Sequence, residues 1–309
     1  MRPLNWLALG AAGLSVSAIG QMSVMSAATV DKVSDILVKG GTTAKPVEYR
    51  EAVVVEFRKD RLQTLCSGVL LTSGTVLTAA HCSYNKFIPV RVTAASNWAQ
   101  ALSLGPDGYA RSPASGLPAV QSIGVVSYAV MDPISVAQGR NLAGRDLMVV
   151  KLKKNFVAPV APIAISSLVG LNSAKYVRVV GFGKDGKTGF GKKLFADIDV
   201  AAARCGTTPV SGASDCEPND ELFAKHPQGT FDACPGDSGG PVYVRSQFAQ
   251  YRLIGITSRA SGPSSQCGGG TVVTLLDGER LRWILSQTTV SVNAQVLKPE
   301  VPACEPPTC

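Results

Sequence analysis

The feature that most constrains the fold of this 309-residue chain is a series of short β-type segments separated by turn residues. Each segment is rich in valine or isoleucine and is bounded by Gly, Pro, Ser, Asn or Lys, a pattern typical of strands. The predicted strands are 52–57, 69–71, 75–79, 90–94, 147–152, 176–182, 194–200, 240–244, 253–258 and 271–275.

A helical pattern is convincing near the C-terminal end. Asp277 is a candidate N-cap, and Leu281, Ile284 and Leu285 follow at helical spacing. Many strands with one terminal helix predict an all-β sandwich or barrel. Residues 95–145 are rich in Gly, Pro and Ser, which predicts long surface loops.

Composition excludes some function classes. The net charge is +8, but no block of consecutive Lys or Arg occurs and aromatic residues make up only 6%. Nucleic-acid binding would need a basic stripe interleaved with stacking aromatics, so no nucleic-acid partner is expected.

The N-terminus has the pattern of an export signal. Arg2 precedes an apolar stretch at 4–19, and small residues offer cleavage after Gly20 or after Ala28. The stretch is short for a membrane span, so a stable anchor is not expected. The chain is predicted to be secreted or periplasmic.

The predicted organisation has four parts. Residues 1–28 are the signal peptide and 29–37 a short propeptide. Residues 38–293 form the folded domain, and 294–309 a tail that contains prolines and cysteines.

Export makes the eight cysteines interpretable as disulfides, although their spacing does not give the connectivity. Metal binding is the alternative, but the chain has no Cys-x-x-Cys and only two histidines. No metal and no cofactor are therefore expected.

The strongest chemical signal is Asp-Ala-Cys-Pro-Gly-Asp-Ser-Gly-Gly-Pro at 232–241. A substrate can closely approach a serine that is flanked by glycines, and the N–H groups of Gly236 and Ser238 could form an oxyanion hole. Serine needs an adjacent base, and Thr-Ala-Ala-His-Cys at 78–82 places His81 after an apolar strand.

Chain order separates the possible enzyme classes. Residues 236–240 also fit the nucleophile elbow of α/β-hydrolases, but that class needs a histidine after the serine. Here His81 and His226 both precede Ser238, and His226 reads as a loop residue. A subtilisin-like order using Asp60 would need a parallel α/β sheet, for which the helices are missing. The order His, Asp, Ser remains.

Asp146 is the candidate acid. It opens Asp-Leu-Met-Val-Val-Lys-Leu, and no other aspartate between His81 and Ser238 has such an apolar run attached. A triad carboxylate must be fixed and shielded to orient the imidazole. The sequence therefore predicts His81, Asp146 and Ser238 as a catalytic triad.

With these residues in place, the chain resembles the trypsin-like (chymotrypsin-fold) serine proteases over about 250 residues. The similar motifs, in family order, are 78–82, 146–147, 181–183, 236–241, 255–258 and 281–286. The resemblance implies two antiparallel six-stranded β-barrels with the active site between them and a C-terminal α-helix. It also implies a secreted serine endopeptidase acting through an acyl-enzyme on polypeptide substrates, with protein inhibitors as further expected partners.

The resemblance extends to disulfides. It implies that three pairs stabilise the active-site region and a surface loop, and that the last two cysteines, Cys304 and Cys309, lie outside the family pattern. The implied pairs are Cys66 with Cys82, Cys205 with Cys216, and Cys234 with Cys267.

The resemblance also implies a specificity pocket. Asp232 stands where the family places the acid at the base of the primary pocket, so Arg or Lys is expected before the cleaved bond. Ser258, Ala260 and Gly270 are expected to line the cleft, with Ser258 supporting the catalytic aspartate. Arg259-Ala260 departs from the family's Trp-Gly, and the Ala260 methyl is expected to narrow the pocket mouth.

The activation region departs further. The resemblance implies that the protein is made as a zymogen. After activation, the new N-terminus is expected to pair with the acid next to the serine, here Asp237. The usual Ile-Val-Gly-Gly is replaced by Ile-Leu-Val-Lys-Gly-Gly at 36–41. Val38 or Ile36 is therefore the candidate first residue of the activated chain.

The alternative function is a catalytically weak or inactive protease-fold binding module.

Overall fold

The structure is a computed structural model that describes residues 38–99, 109–111, 118–166, 168, 170–183, 191–206, 216–245, 250–261 and 267–288. The predicted signal peptide and propeptide, Ile36, the tail, Cys304 and Cys309 lie outside the described residues.

Strands dominate the described chain. The strands are β1 (Val38–Lys39), β2 (Thr42–Thr43), β3 (Ala52–Lys59), β4 (Leu62–Thr72), β5 (Thr75–Thr78), β6 (Ile88–Ala94), β7 (Tyr109–Arg111), β8 (Pro118–Val130), β9 (Met148–Leu152), β10 (Tyr176–Gly181), β11 (Leu194–Ala202), β12 (Glu221–Ala224), β13 (Asp232–Ala233), β14 (Pro241–Arg245), β15 (Tyr251–Ala260) and β16 (Thr271–Leu275). The helices are α1 (Pro133–Gln138) and α2 (Gly278–Gln287).

The N-terminal barrel is a closed ring in the order β3, β4, β5, β9, β8 and β6, with β6 pairing back to β3. β7 extends the edge of β8. The valine- and leucine-rich faces of these strands are fully buried, which is the reason such runs form a closed sheet.

The C-terminal barrel is a second closed ring, in the order β10, β14, β15, β16, β12 and β11. β2 adds to the outside of β11. Both barrels are antiparallel and six-stranded, and α2 follows the last strand. The predicted chymotrypsin-like fold is thus confirmed.

The predicted terminal helix forms as α2, with Leu281 and Ile284 buried. Asp277 stands at the N-cap position, but its side chain makes no capping hydrogen bond. Its carboxylate instead accepts hydrogen bonds from Arg204 and Arg280. Nearby guanidinium groups therefore outcompete the helix N–H groups for this acid.

The prediction of long surface loops over 95–145 is wrong for much of that region. The 13-residue strand β8 lies there and closes the first barrel. Its serines and Gly124 hid the strand pattern, because a strand that pairs on both sides does not need a regular apolar alternation. α1 also forms, with the Asp132 carboxylate capping the Ser135 N–H.

The two barrels pack against each other. The core of the first barrel continues into side chains of the second, including Phe182, Tyr243 and Ile256. At this contact a Cβ on Gly239 would lie 2.4 Å from the Ser67 carbonyl oxygen, so only glycine fits. The serine segment is therefore pressed directly against the first barrel.

Within the part of the chain that the structure describes, neither helix is long and apolar enough to cross a membrane.

Candidate active site

A hydrogen-bonded chain of three side chains lies at the junction of the barrels. His81 Nε2 is 2.9 Å from Ser238 Oγ, and His81 Nδ1 is 2.7 Å from Asp146 Oδ2. The His81 backbone N–H also donates to Asp146 Oδ1 at 2.9 Å. The structure thus brings together the three residues predicted as the triad, in a geometry that allows proton transfer from serine to histidine.

Strand pairing explains how His81 and Asp146 meet. β5 and β9 are antiparallel neighbours, with Thr78 opposite Met148. His81 leaves the end of β5 in a short 3₁₀ segment, Ala80–Lys86, and Asp146 lies just before the start of β9. The two residues therefore emerge at the same edge of the first barrel, while Ser238 comes from the second.

Asp146 is held by three donors. It is 2% exposed, and the Ser258 hydroxyl donates to its Oδ2 at 2.6 Å in addition to the two donors of His81. Burial raises the pKa of the Asp146 carboxyl, but the charge and hydrogen bonds of His81 and the Ser258 hydroxyl outweigh burial and lower it. This carboxylate therefore stays ionised beside the imidazole.

The pKa of His81 shifts in the opposite direction to that of Asp146. Burial lowers its pKa, but the charge of Asp146 and the hydrogen bond to it together raise the His81 pKa above the usual value of 6.5. The positive charge of Arg259 opposes this rise. The imidazole is therefore a stronger base than a free histidine, which suits proton abstraction from a serine hydroxyl.

Ser67 on β4 locks the serine segment in place, a role that the sequence did not indicate. Its hydroxyl donates to the Gly236 carbonyl at 2.7 Å and accepts from the Phe182 N–H at 3.0 Å. Its backbone N–H donates to the Ser238 carbonyl at 2.8 Å. These contacts join residues far apart in sequence, so no local signal could have revealed them.

The predicted oxyanion hole involves Gly236 and Ser238. The neighbouring N–H groups of Asp237, Gly239 and Gly240 donate to backbone carbonyls. Among the described residues, no acceptor pairs with the N–H groups of Gly236 or Ser238. The fold therefore leaves these two amides without a backbone acceptor among the described residues, as an oxyanion hole would require.

The structure contains the three disulfides that the resemblance implied, namely Cys66–Cys82, Cys205–Cys216 and Cys234–Cys267. The first links β4 to the segment that carries His81. The third links the serine segment to the chain before β16. Both therefore restrain the active-site surroundings covalently.

Asp232 is buried beneath the serine segment. It is 0% exposed, and its Oδ2 accepts from the N–H groups of Gly268 at 2.6 Å and Gly270 at 3.1 Å. The Thr271 hydroxyl donates to Oδ1. All three donors are neutral, so this carboxylate has no cationic partner among them.

The surroundings of Asp232 include Thr271, a residue that the sequence did not single out. Thr271 is the cross-strand partner of Ala260. A Cβ on Gly270 would lie 2.5 Å from the Phe223 ring, so that glycine serves close packing. Ala260 and Thr271 therefore stand opposite each other on β15 and β16, and the strand register was needed to identify Thr271.

Arg259 does not stand alone beside the cleft. Its guanidinium binds both oxygens of Glu221 at 2.7 Å each. Glu221 is 0% exposed. The sequence did not indicate this acidic partner of Arg259, because Glu221 lies on another strand.

Asp237, which the sequence predicted as the activation partner, is held by backbone N–H groups in the structure. It is fully buried, and it accepts hydrogen bonds from the N–H groups of Gly183 at 2.9 Å and Cys234 at 3.0 Å. Burial raises its pKa to about 8, because neutral N–H groups only partly offset the loss of water. Val38 is the cross-strand partner of Ala233, four positions before Asp237 in the chain.

A cleft of about 340 Å³ opens beside the histidine and serine, lined on the first barrel by residues such as Leu62, Leu65 and Tyr84. The lining also includes Pro235. It gives an extended chain room to cross the site. Within the described residues, no group of three or more His, Cys, Asp or Glu side chains is placed to hold a metal ion.

Two closed barrels with this serine segment at their junction define a protein of the chymotrypsin fold. A family model described as Trypsin matches residues 38–277. The chain belongs to the trypsin-like serine protease family.

Relatives agree with this assignment. The chain is 29% identical over 262 residues to a trypsin-like protease of Streptomyces glaucescens, covering 82% of each protein. It is 30% identical over 244 residues to coagulation factor XII of Sus scrofa and 27% identical over 241 residues to that of Bos taurus. The matches cover 74% and 73% of this chain but span only 36% of each factor XII protein.

Proposed function

We propose that this protein is a secreted serine endopeptidase that hydrolyses peptide bonds through an acyl-enzyme on Ser238. Ser238 attacks the scissile carbonyl while His81 takes its proton and later gives it to the leaving amine. Asp146 holds the imidazole and stabilises its charged form, and Gly236 and Ser238 bind the oxyanion. The disulfides and the family are in keeping with an extracellular enzyme.

The observation that carries the proposal is the continuous hydrogen-bonded path from Ser238 through His81 to Asp146. A binding module has no need for a nucleophile 2.9 Å from a base whose pKa is raised. The alternative of an inactive binding module is disfavoured because all three groups are present and correctly spaced.

The preferred substrates carry Arg or Lys before the cleaved bond, because a substrate cation would pair with the buried Asp232 carboxylate. A carboxylate surrounded only by neutral donors gains most from a charged partner. Thr271 must then give up or share its hydrogen bond to Asp232. A second candidate is cleavage after a small side chain, which is favoured by the complete burial of Asp232 and by the Ala260–Thr271 pair.

The test is a panel of matched peptides ending in Arg, Lys, Phe and Ala, assayed with wild type and Ser238→Ala. Hydrolysis by wild type that falls by roughly 10⁶-fold in Ser238→Ala is expected, because the covalent route is lost. Near-normal hydrolysis by Ser238→Ala would exclude Ser238 as the nucleophile. Arg259→Lys keeps the charge near the site and is therefore not a suitable control. The control variant is Asp197→Asn on β11 of the second barrel.

A further inference from the structure

Glu221 is a fully buried acid that the proposed chemistry does not use, yet it touches the chain segment that carries Asp146. Its Oε1 accepts from the Gly144 N–H at 3.0 Å, two residues before Asp146. Its Oε2 accepts from the Glu217 N–H at 2.8 Å. Glu221 belongs to β12 of the second barrel, whereas Gly144 belongs to the first, so this carboxylate fastens one barrel to the other.

An irregularity in β15 sets the orientation of Arg259, the partner of Glu221. The register of β15 against β16 shifts between Thr257 and Arg259, which leaves Ser258 as the extra residue of a bulge. Bulges of this kind re-aim neighbouring side chains. Here Ser258 donates to Asp146, while Arg259 binds Glu221 and also reaches the Ser258 hydroxyl at 3.4 Å.

The contacts of this group form a closed loop. Asp146 is joined to Ser258 by a hydrogen bond, Ser258 to Arg259 along the strand, Arg259 to Glu221 by an ion pair, and Glu221 back to the backbone at Gly144. Asp220, next to Glu221 in the chain, is separately paired with Arg280 at 2.8 Å. Arg259 is therefore the basic partner of Glu221, and its charge also acts on His81.

We infer that Glu221 and Arg259 form a positioning ion pair that holds Asp146 in the orientation that His81 requires. The inference rests on the proposed function and assigns these two residues to its machinery. Neither touches the reacting atoms. They act by fixing the segment before Asp146 against the strand that carries Ser258, and by setting the charge beside the imidazole.

The charge effect has opposite signs for the two members. The charged groups that face His81 are Asp146 and Arg259, and the Tyr84 ring lies 6.0 Å away, centroid to centroid. The positive charge of Arg259 disfavours a protonated His81. Glu221 partly neutralises that charge. Removal of Arg259 should therefore raise the His81 pKa, and removal of the Glu221 charge should lower it.

The experiment compares Arg259→Gln, Glu221→Gln, the double variant and Arg259→Lys. The acid limb of the kcat/KM profile against pH gives the His81 pKa of the free enzyme. The expected midpoint rises by about 0.5 pH unit in Arg259→Gln and falls by about 0.5 in Glu221→Gln, and the double variant returns towards wild type. Arg259→Lys should keep the midpoint but lose about tenfold in kcat, since the two-point grip on Glu221 is lost.

A matched control separates positioning from general stability. Glu56 on β3 is also buried, at 1% exposure, and is also bound by an arginine, Arg91, with Nε to Oε2 at 2.8 Å. Glu56→Gln should lower the free energy of unfolding as Glu221→Gln does, while leaving the midpoint unchanged. If both glutamate variants leave the midpoint at the wild-type value, or if the Arg259 and Glu221 variants move it in the same direction, the inference is wrong.

A second readout does not depend on hydrolysis. The chain has only two histidines, so in a His226→Gln background the NMR titration of the remaining imidazole reports His81 directly. Opposite shifts in this titration would support the ion pair even if no peptide were cleaved. Hydrolysis by wild type together with unshifted titrations would refute the inference alone and leave the proposed function standing.

Discussion

The two barrels supply different parts of the candidate site, and they hold those parts in different ways. The first barrel provides His81 and Asp146, which meet because β5 and β9 are paired strands. The second provides Ser238, which lies in a glycine-rich segment outside the strands, and Asp232, which lies in the two-residue strand β13 that pairs with the equally short β1. The proton-handling pair is therefore fixed by sheet geometry, and the nucleophile and pocket by individual contacts.

This difference shows where the site is rigid and where it can change. His81 and Asp146 flank the paired ends of β5 and β9, so their relative position depends on that whole ladder. The serine segment depends on contacts such as the Ser67 hydroxyl to the Gly236 carbonyl and on the Cys234–Cys267 disulfide. Substitutions in the first barrel should thus affect rate, whereas those in the second should also affect selectivity and activation.

The largest expected effect comes from breaking the pair in the first barrel. Asp146→Asn should lower kcat by about 10⁴-fold, because the amide no longer stabilises the imidazolium and favours the wrong tautomer. KM should change little. The measurement is steady-state hydrolysis, with Asp197→Asn as the control for loss of one acid. A loss of less than tenfold in Asp146→Asn would contradict the role of Asp146.

A smaller effect is expected from the pocket of the second barrel. Asp232→Ser should lower the ratio of kcat/KM for Arg over Ala substrates by about 10²–10³-fold, since a buried charge pair is lost. Thr271→Gly should raise activity on Arg substrates, because it removes the side chain beside Ala260 and the hydroxyl that donates to Asp232. If Asp232→Ser leaves the ratio unchanged, or if Ala substrates are preferred by wild type, cleavage after small side chains is the better description.

The remaining expected effect is on stability rather than on rate, and it concerns activation. The pKa of Asp237 is raised from 3.8 to about 8 in the fold, so the folded state binds a proton that the unfolded state releases. In unprocessed Ser238→Ala protein, the free energy of unfolding should therefore fall as pH rises from about 4 to about 8. Adding Asp237→Asn should remove that decline in urea titrations. The same decline in both proteins would show that Asp237 is not its source.

Proteolytic activation should change the surroundings of Asp237. An α-ammonium at Val38 or Ile36 would give Asp237 a cationic partner and lower its pKa again. N-terminal sequencing of active enzyme identifies the residue, and a fully active chain beginning well upstream would refute the proposed processing.

The sequence predicted the parts that depend on local pattern. The valine-rich runs located most of both barrels, and the histidine and serine motifs located the candidate triad. β8 was missed because its glycine and serines conceal a strand that the ring of the barrel stabilises from both sides. Three important residues were also missed, namely Ser67, Glu221 and Thr271. Each acts through a partner distant in sequence, as when Ser67 contacts Gly236 across 169 positions.

The most direct test of the account is labelling with a fluorophosphonate, followed by mass spectrometry of the peptides. The account states that a base from one barrel activates a nucleophile from the other. Processed wild type should therefore carry one adduct, on Ser238, formed faster as pH rises through a His81 pKa above 6.5. His81→Ala should abolish rapid labelling while leaving the fold intact. An adduct elsewhere, or labelling of Ser238 at the same rate without His81, would contradict the central claim.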